Sequence, residues 1–221
     1  MLERIAAAAR RAGRNETAVQ LVAVSKGVSA GRLVAARSAG IRTFGENRVQ
    51  EAEAKIPVVA VSEWHLIGHL QSNKARRAVE LFDVVESVDS AELATRLATL
   101  ALELRNGRPL PIYLQVNVDR VQSKAGLDPD DLPAALATIG ALPALELRGL
   151  MTVGRLVDRP EDARPTFRRL RELSESLSIT NPRLGTGLSM GMSTDFEVAV
   201  EEGATVVRVG RALFGERPND R

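Results

Sequence analysis

Short apolar, β-branched runs alternate along this chain with segments whose apolar residues fall at helical spacing, and no other feature constrains the fold so tightly. Residues 21–25, 64–67, 83–86, 112–118, 145–151 and 205–209 form six such runs, of strand length and mostly apolar, as strands buried on both faces are. Two weaker runs, 41–44 and 184–189, fill the remaining gaps. Between the runs, Leu93, Leu97, Leu100 and Leu104, then Leu132, Leu136 and Ile139, then Phe167, Leu170 and Leu177 lie on helical stripes, the pattern of helices laid against a sheet. Asp89 and Glu92 have capping-box spacing, and Asp128 before Pro129 suits a cap followed by the first helical position.

Eight strands, seven of them followed by a clear helical segment, with one extra helix ahead of the first, predict a (β/α)8 TIM barrel. A doubly wound sheet is the alternative, but it normally carries a glycine-rich fingerprint after its first strand, and Ser25-Lys26-Gly27-Val28 is not one. No linker, repeat or low-complexity stretch interrupts the pattern, so residues 1–221 are expected to form one domain, with 216–221 as a solvated tail.

Composition narrows the function. Thirty basic and 28 acidic residues leave a net charge of +2. The pI of 9.4 reflects the scarcity of groups that titrate between carboxylates and amines, not a basic surface. The chain lacks cysteine, which removes disulfides, thiolate nucleophiles and zinc-thiolate sites. Residues 1–13 carry Glu3, Arg4, Arg10 and Arg11 and lack the apolar core of a secretory signal, and nowhere do eighteen apolar residues run together. A cytoplasmic protein without a membrane span is expected.

Only four of the 30 basic residues are lysines, and one of them, Lys26, closes the first apolar run. That places it at the C-terminal edge of the first strand, where barrels of this kind carry their chemistry. A lysine desolvated there is an amine able to attack a carbonyl carbon, which arginine cannot be. A lysine that snorkels from a strand end into water fits the position equally well.

The segment Gly191 to Val200 follows the seventh run and opens a helix, with Thr194 and Glu197 in capping spacing or Ser193 capping directly. Gly210 then ends the eighth run, where its lack of a side chain lets backbone approach a ligand. Loops after strands seven and eight bind phosphate in many barrels, and together these two favour a phosphate site over two well-capped helices. Arg208, a charge inside an apolar run, needs a buried partner.

Other polar stretches are less specific. Asn47 and Gln50 have capping spacing, which explains them without a ligand. His65 and His69 are four apart, but Gly68 and the apolar run before it divide them between a strand and a loop, and no third metal ligand is evident. The basic run at 168–171 suits the wet face of a helix, and seven aromatic residues offer few stacking platforms, so nucleic-acid binding is not expected.

Taken in order, Ala-Val-Ser-Lys at 23–26, Phe-Gly-Glu-Asn with Val-Gln-Glu at 44–51, Trp-His at 64–65, Leu-Gln-Ser-Asn-Lys at 70–74, Ser-Lys at 123–124 with Gly126, Arg-Gly-Leu-Met at 148–151, Gly-Met-Ser at 191–193, and Val-Arg-Val-Gly with Leu-Phe-Gly at 207–215 resemble the pyridoxal-phosphate homeostasis proteins. These are single-domain relatives of the alanine racemase N-terminal barrel, and the resemblance spans nearly the whole chain. It implies that pyridoxal 5'-phosphate is the cofactor and that Lys26 forms a Schiff base with it. It also implies that Asn47 lies beside the cofactor, that Met192 and Ser193 with Gly210 and residue 211 hold the phosphate, and that Arg208 faces the pyridine nitrogen. A guanidinium stays protonated and keeps that nitrogen neutral, which makes the cofactor a poor electron sink.

Racemases with this arrangement add a second base, in alanine racemase a tyrosine from a separate domain of the partner subunit. Here the sole tyrosine, Tyr113, lies at the start of a strand. The resemblance therefore implies a monomeric carrier that stores, buffers or delivers cofactor to pyridoxal-phosphate-dependent apoenzymes, without robust turnover. The alternatives are an amino-acid racemase that uses another mouth residue such as His65 as base, and a Schiff-base lyase acting on a phosphorylated sugar. Position 211 departs from the family's usual threonine, which leaves the side-chain role of Arg211 open. Lys74 and Lys124 are candidates for touching cofactor during loading or release.

Overall fold

The structure, a computed structural model, describes residues 1–59, 61–155 and 157–215. The segment 216–221, expected as a tail, lies outside them. Eight parallel strands close into a barrel in the order β1 to β8: β1 Gln20–Val24, β2 Thr43–Glu46, β3 Glu63–Leu66, β4 Val84–Val88, β5 Leu110–Gln115, β6 Leu145–Met151, β7 Gly187–Ser189 and β8 Val206–Val209. The helices are α1 Leu2–Arg11, α2 Ala30–Ser38, α3 Val49–Val59, α4 Ala75–Leu81, α5 Ala91–Leu104, α6 Leu132–Gly140, α7 Arg164–Thr180, α8 Phe196–Glu201 and the single turn α9 Arg211–Phe214. The (β/α)8 barrel with one additional N-terminal helix is therefore the observed fold. That extra helix, α1, packs on α8 through buried Ile5, Ala8 and Ala9, and the Arg4 guanidinium stacks 4.8 Å from the Phe196 ring centroid.

Strand boundaries moved where polar residues are buried. β2 runs to Glu46, two residues beyond the apolar run at 41–44, because the Glu46 carboxylate is matched inside the wall by Lys55. β7 shortens to three residues. Capping differs too. Ser90, not Asp89, caps α5 by accepting the Leu93 amide at 3.1 Å, while Asp89 meets His69 at 2.9 Å. α6 starts at Leu132 behind Asp131, and Asp128 instead accepts the Asp130 amide within a turn. α3 starts at Val49, so Arg48 rather than Asn47 precedes it.

Strand alternation divides the wall into two faces. Phe44, Trp64, Leu66, Ile112 and Leu114 are buried among the surrounding helices, with the Phe44 and Trp64 ring centroids 5.3 Å apart. The inward face is filled by Val22, Ile67, Val84, Tyr113, Met151 and Val206. It also holds His65, Glu86, Ser189 and Arg208, all buried. Gly45 makes room for this filling, since a Cβ there would lie 2.6 Å from Val22 Cγ1 and 3.1 Å from Ile67 Cδ1.

Candidate functional site

Lys26 follows β1 by two residues, so the inward parity of Gln20, Val22 and Val24 carries it over the barrel interior, half-buried at the C-terminal edge. Beside it the neighbouring outward residue, Ser25, is fully buried and donates to Glu46 Oε1 at 2.8 Å. Lys55 reaches the same place, 2.6 Å from Glu46 Oε1 and 2.8 Å from the Ser25 carbonyl. Burial pushes the Glu46 carboxyl up, and Lys55 and Ser25 pull against it. This buried pair pins the β1 and β2 ends, and so fixes the backbone that carries Lys26 and Asn47.

The loops after β7 and β8 meet directly. Ser193 Oγ accepts the backbone amides of Gly210 and Ala212, each at 3.2 Å. Ser193 therefore does not cap α8. Asp195 precedes that helix and takes the Met192 amide at 2.6 Å, which closes the turn that presents Met192 and Ser193. Gly191 makes the turn possible: it has φ +92°, and a Cβ would sit 2.5 Å from Ala199 Cβ. Gly210 lies against β1, where an added Cβ would be 3.3 Å from Val24 Cβ. Both amides thus point at one spot beside Val24, two residues before Lys26, where Ser193 Oγ accepts them and keeps its own proton to donate; a phosphate oxygen taking its place as acceptor would meet donors from both loops. Arg211 is exposed as the first residue of α9.

Arg208 has the buried partners its place in an apolar run requires. It lies opposite Val22 in the β1–β8 ladder, 4% exposed. It donates from Nη1 to Ser189 Oγ at 2.5 Å and from Nη2 to the Thr152 carbonyl at 2.7 Å. Ser189 Oγ also lies 2.5 Å from Glu86 Oε2, and Glu86 Oε1 lies 2.5 Å from His65 Nδ1. His65 Nε2 faces Glu63 Oε1 at 3.3 Å, in ion-pair range but without hydrogen-bond alignment. Burial pushes the imidazole down, yet the two carboxylates outweigh it and hold His65 up to about 9. The imidazolium in turn holds Glu63 down to about 2. Burial pushes the Glu86 carboxyl up, but His65 and Arg208 more than offset this and keep it below the usual carboxylate range.

The remaining candidates do not join this set, and Tyr113 does not lie at this edge. Asn47 is half-buried and lines a cavity of about 700 Å³ with Gly68, His69 and Lys74. His65 lies on β3 and exposed His69 in the loop beyond it, as the glycine between them implied. Lys124, in the loop after β5, donates to the carbonyls of Val153 and Gly154 at 3.2 and 2.7 Å, tying that loop to the one after β6. Tyr113 is buried in the barrel interior. A Cβ on Gly187, the first residue of β7, would lie 3.0 Å from its hydroxyl, which places that group low in the wall, away from the edge that carries Lys26. Burial pushes its phenol up to about 12.

Sequence reasoning missed Glu86 and Ser189 as partners of Arg208, and Lys55 as partner of Glu46. Glu86 carries a signal close to the one used for Arg208, a charge at an apolar run that needs a buried partner.

Residues 1–218 match the family model described as the alanine racemase N-terminal domain. The chain is 46% identical over 218 residues to the pyridoxal phosphate homeostasis protein of Pseudomonas aeruginosa, covering 97% of this chain and 91% of that one. It is 40% identical over 219 residues to the protein of the same name from Aquifex aeolicus, covering 98% and 95%. The chain belongs to this family. Among solved structures, PipY of Synechococcus elongatus with pyridoxal phosphate bound superposes with a TM-score of 0.84 at 44% identity, covering 97% of this chain and 99% of that one. Alanine racemase from Corynebacterium glutamicum shares the fold, with a TM-score of 0.71 at 17% identity, and this chain spans 62% of its length.

Proposed function

We propose that this chain binds pyridoxal 5'-phosphate at the C-terminal edge of the barrel and serves cofactor homeostasis, holding it on Lys26 and releasing it to apoenzymes that require it. One observation carries the reading: the Ser193 hydroxyl and the Gly210 and Ala212 amides converge beside Val24, two residues from Lys26. A relative of the same length and fold was solved with this cofactor bound.

Pyridoxal phosphate supplies an aldehyde that condenses reversibly with an amine such as that of Lys26, with loss of water. The Ser193 hydroxyl, and the Gly210 and Ala212 amides once a phosphate oxygen replaces Ser193 Oγ as their acceptor, stabilise phosphate charge with oriented donors. Arg208 offers only N–H donors to the pyridine edge, so it stabilises an unprotonated ring nitrogen. Asn47 and Met192 close the sides, and exposed Arg211 adds positive charge next to the phosphate loop.

The carrier reading is favoured over a racemase by the state of the two candidate bases. His65 is fully buried and already protonated between two carboxylates, so it has no free lone pair at neutral pH. Tyr113 is buried low in the barrel.

The test is cofactor transfer. Loaded protein is mixed with an apoenzyme, and activation is followed against free cofactor at the same concentration. Faster activation by the loaded protein, lost in Lys26→Ala, supports the reading. Turnover of an amino acid, seen as α-proton exchange in deuterated solvent that disappears in Lys26→Ala, would overturn the carrier function in favour of an enzyme.

A further inference from the structure

The proposed function uses Arg208 but gives no role to the buried polar groups behind it. Glu63, His65, Glu86 and Arg208 follow one another through the barrel interior as alternating negative and positive charges. Glu63 stands at the N-terminal opening, about one-third exposed, with Gln20 Nε2 2.7 Å from its Oε2. Arg208 stands beneath the edge that carries Lys26. The three groups beyond Glu63 are buried. Four charges in the interior of a barrel cost stability relative to apolar filling unless they serve a purpose, and apolar filling is used on the same face at Val22, Val84 and Met151.

The geometry around Ser189 has a direction. A hydroxyl has one proton to donate. Since an ionised carboxylate only accepts and a guanidinium only donates, the Ser189 proton goes to Glu86 Oε2 and its lone pair accepts from Arg208 Nη1. Arg208 and Glu86 themselves stand 3.7 Å apart, so the hydroxyl is the bridge between them. The other carboxylate oxygen is held by His65, and the Thr152 carbonyl takes Nη2. The guanidinium plane is therefore defined by two anchors, and the rotation of Glu86 that would let it pair directly with Arg208 is blocked by His65.

We propose that Glu86, locked by His65 and bridged by Ser189, is the positioning residue for Arg208, fixing the orientation and the net field with which the guanidinium meets the ring of a pyridoxal-phosphate-type cofactor. This rests on the function proposed above. Loss of the bridge lets the guanidinium turn toward Glu86 or tilt, which changes the environment of the ring while leaving Lys26 and the phosphate loop in place.

The experiment uses the full chain titrated with pyridoxal 5'-phosphate, in wild type and in Ser189→Ala, Ser189→Thr and Glu86→Gln. Three quantities are read: the absorption band of the bound cofactor from pH 6 to 9, its dissociation constant, and the residue labelled after borohydride reduction. Ser189→Ala is expected to keep the label on Lys26 but to shift the band or its pH profile and weaken binding roughly tenfold. Ser189→Thr, which keeps the hydroxyl, restores the wild-type band. Glu86→Gln moves the band in the same sense; where it fails to fold, the serine pair carries the test alone. A wild-type band and pH profile in Ser189→Ala, or a Ser189→Thr band as altered as that of Ser189→Ala, refutes the positioning role and leaves the proposed function standing. Absence of any reducible label in the wild type refutes that function, and the positioning role with it.

Discussion

Replacing His65 by glutamine should flatten the dependence of stability on pH between about 6 and 10, and the size of the effect follows from the interior charges. An imidazole in the unfolded chain titrates near 6.5, and the carboxylates of Glu63 and Glu86 hold His65 up to about 9 in the barrel. Because the folded value lies above the unfolded one, the contribution is fully present below about 6.5 and is lost as pH rises through about 9. A difference of this size corresponds to about 3 kcal/mol. At a urea slope of about 2 kcal/mol per M, the wild-type midpoint falls by roughly 1.5 M across that window relative to the variant. Urea titrations of both proteins at several pH values give the difference directly, and subtraction removes the groups the two share. The imidazole resonances provide a second readout, with His69, the other histidine, identified by its own substitution. A stability difference that stays constant from pH 6 to 10, or a His65 resonance titrating at or below 6.5, would refute the charge assignment and reopen His65 as a neutral base.

Three further outcomes follow from the edge of the barrel. Ser193→Ala removes the group that gathers the Gly210 and Ala212 amides and should weaken cofactor binding about tenfold, measured by fluorescence titration, with little change in Tm. Lys55→Ala strips the counter-charge from fully buried Glu46 and should cost about 3 kcal/mol near neutral pH. That deficit narrows in denaturation curves taken at lower pH, as Glu46 takes up a proton. Gly191→Ala forces a side chain into a left-handed backbone position 2.5 Å from Ala199 Cβ and should lower stability by about 2–3 kcal/mol, read as a fall in the thermal midpoint.

The barrel was legible because β strands buried on both faces are written as apolar runs, and helices that cover them as stripes. β6 coincides with its run residue for residue, and α5 and α7 follow their leucines. Where polar residues enter the wall, that signal fails. β2 ends on Glu46, whose burial depends on Lys55 nine residues later, and a spacing of nine has no local meaning on strand or helix.

Cap spacing alone does not pick the capping residue, for a related reason. Several polar residues compete near each helix start, and tertiary contacts choose among them. Asp89 is taken by His69, leaving Ser90 to cap α5. Ser193 is taken by the loop after β8. That second diversion is itself informative, since a serine that reaches across to another loop instead of capping its own helix marks the meeting point of two loops. Lys26 was legible only as a position. Parity and strand register put it over the interior beside Gly210 and Val24, which no count of residues along the chain expresses.

The central claim is that Lys26, among the four lysines, holds pyridoxal 5'-phosphate. Its most direct test is borohydride reduction of the cofactor-loaded full chain followed by peptide mapping. The account predicts one pyridoxyl group, on Lys26, and none in Lys26→Ala. A label on Lys55, Lys74 or Lys124 in place of Lys26, or no label at all, would contradict it.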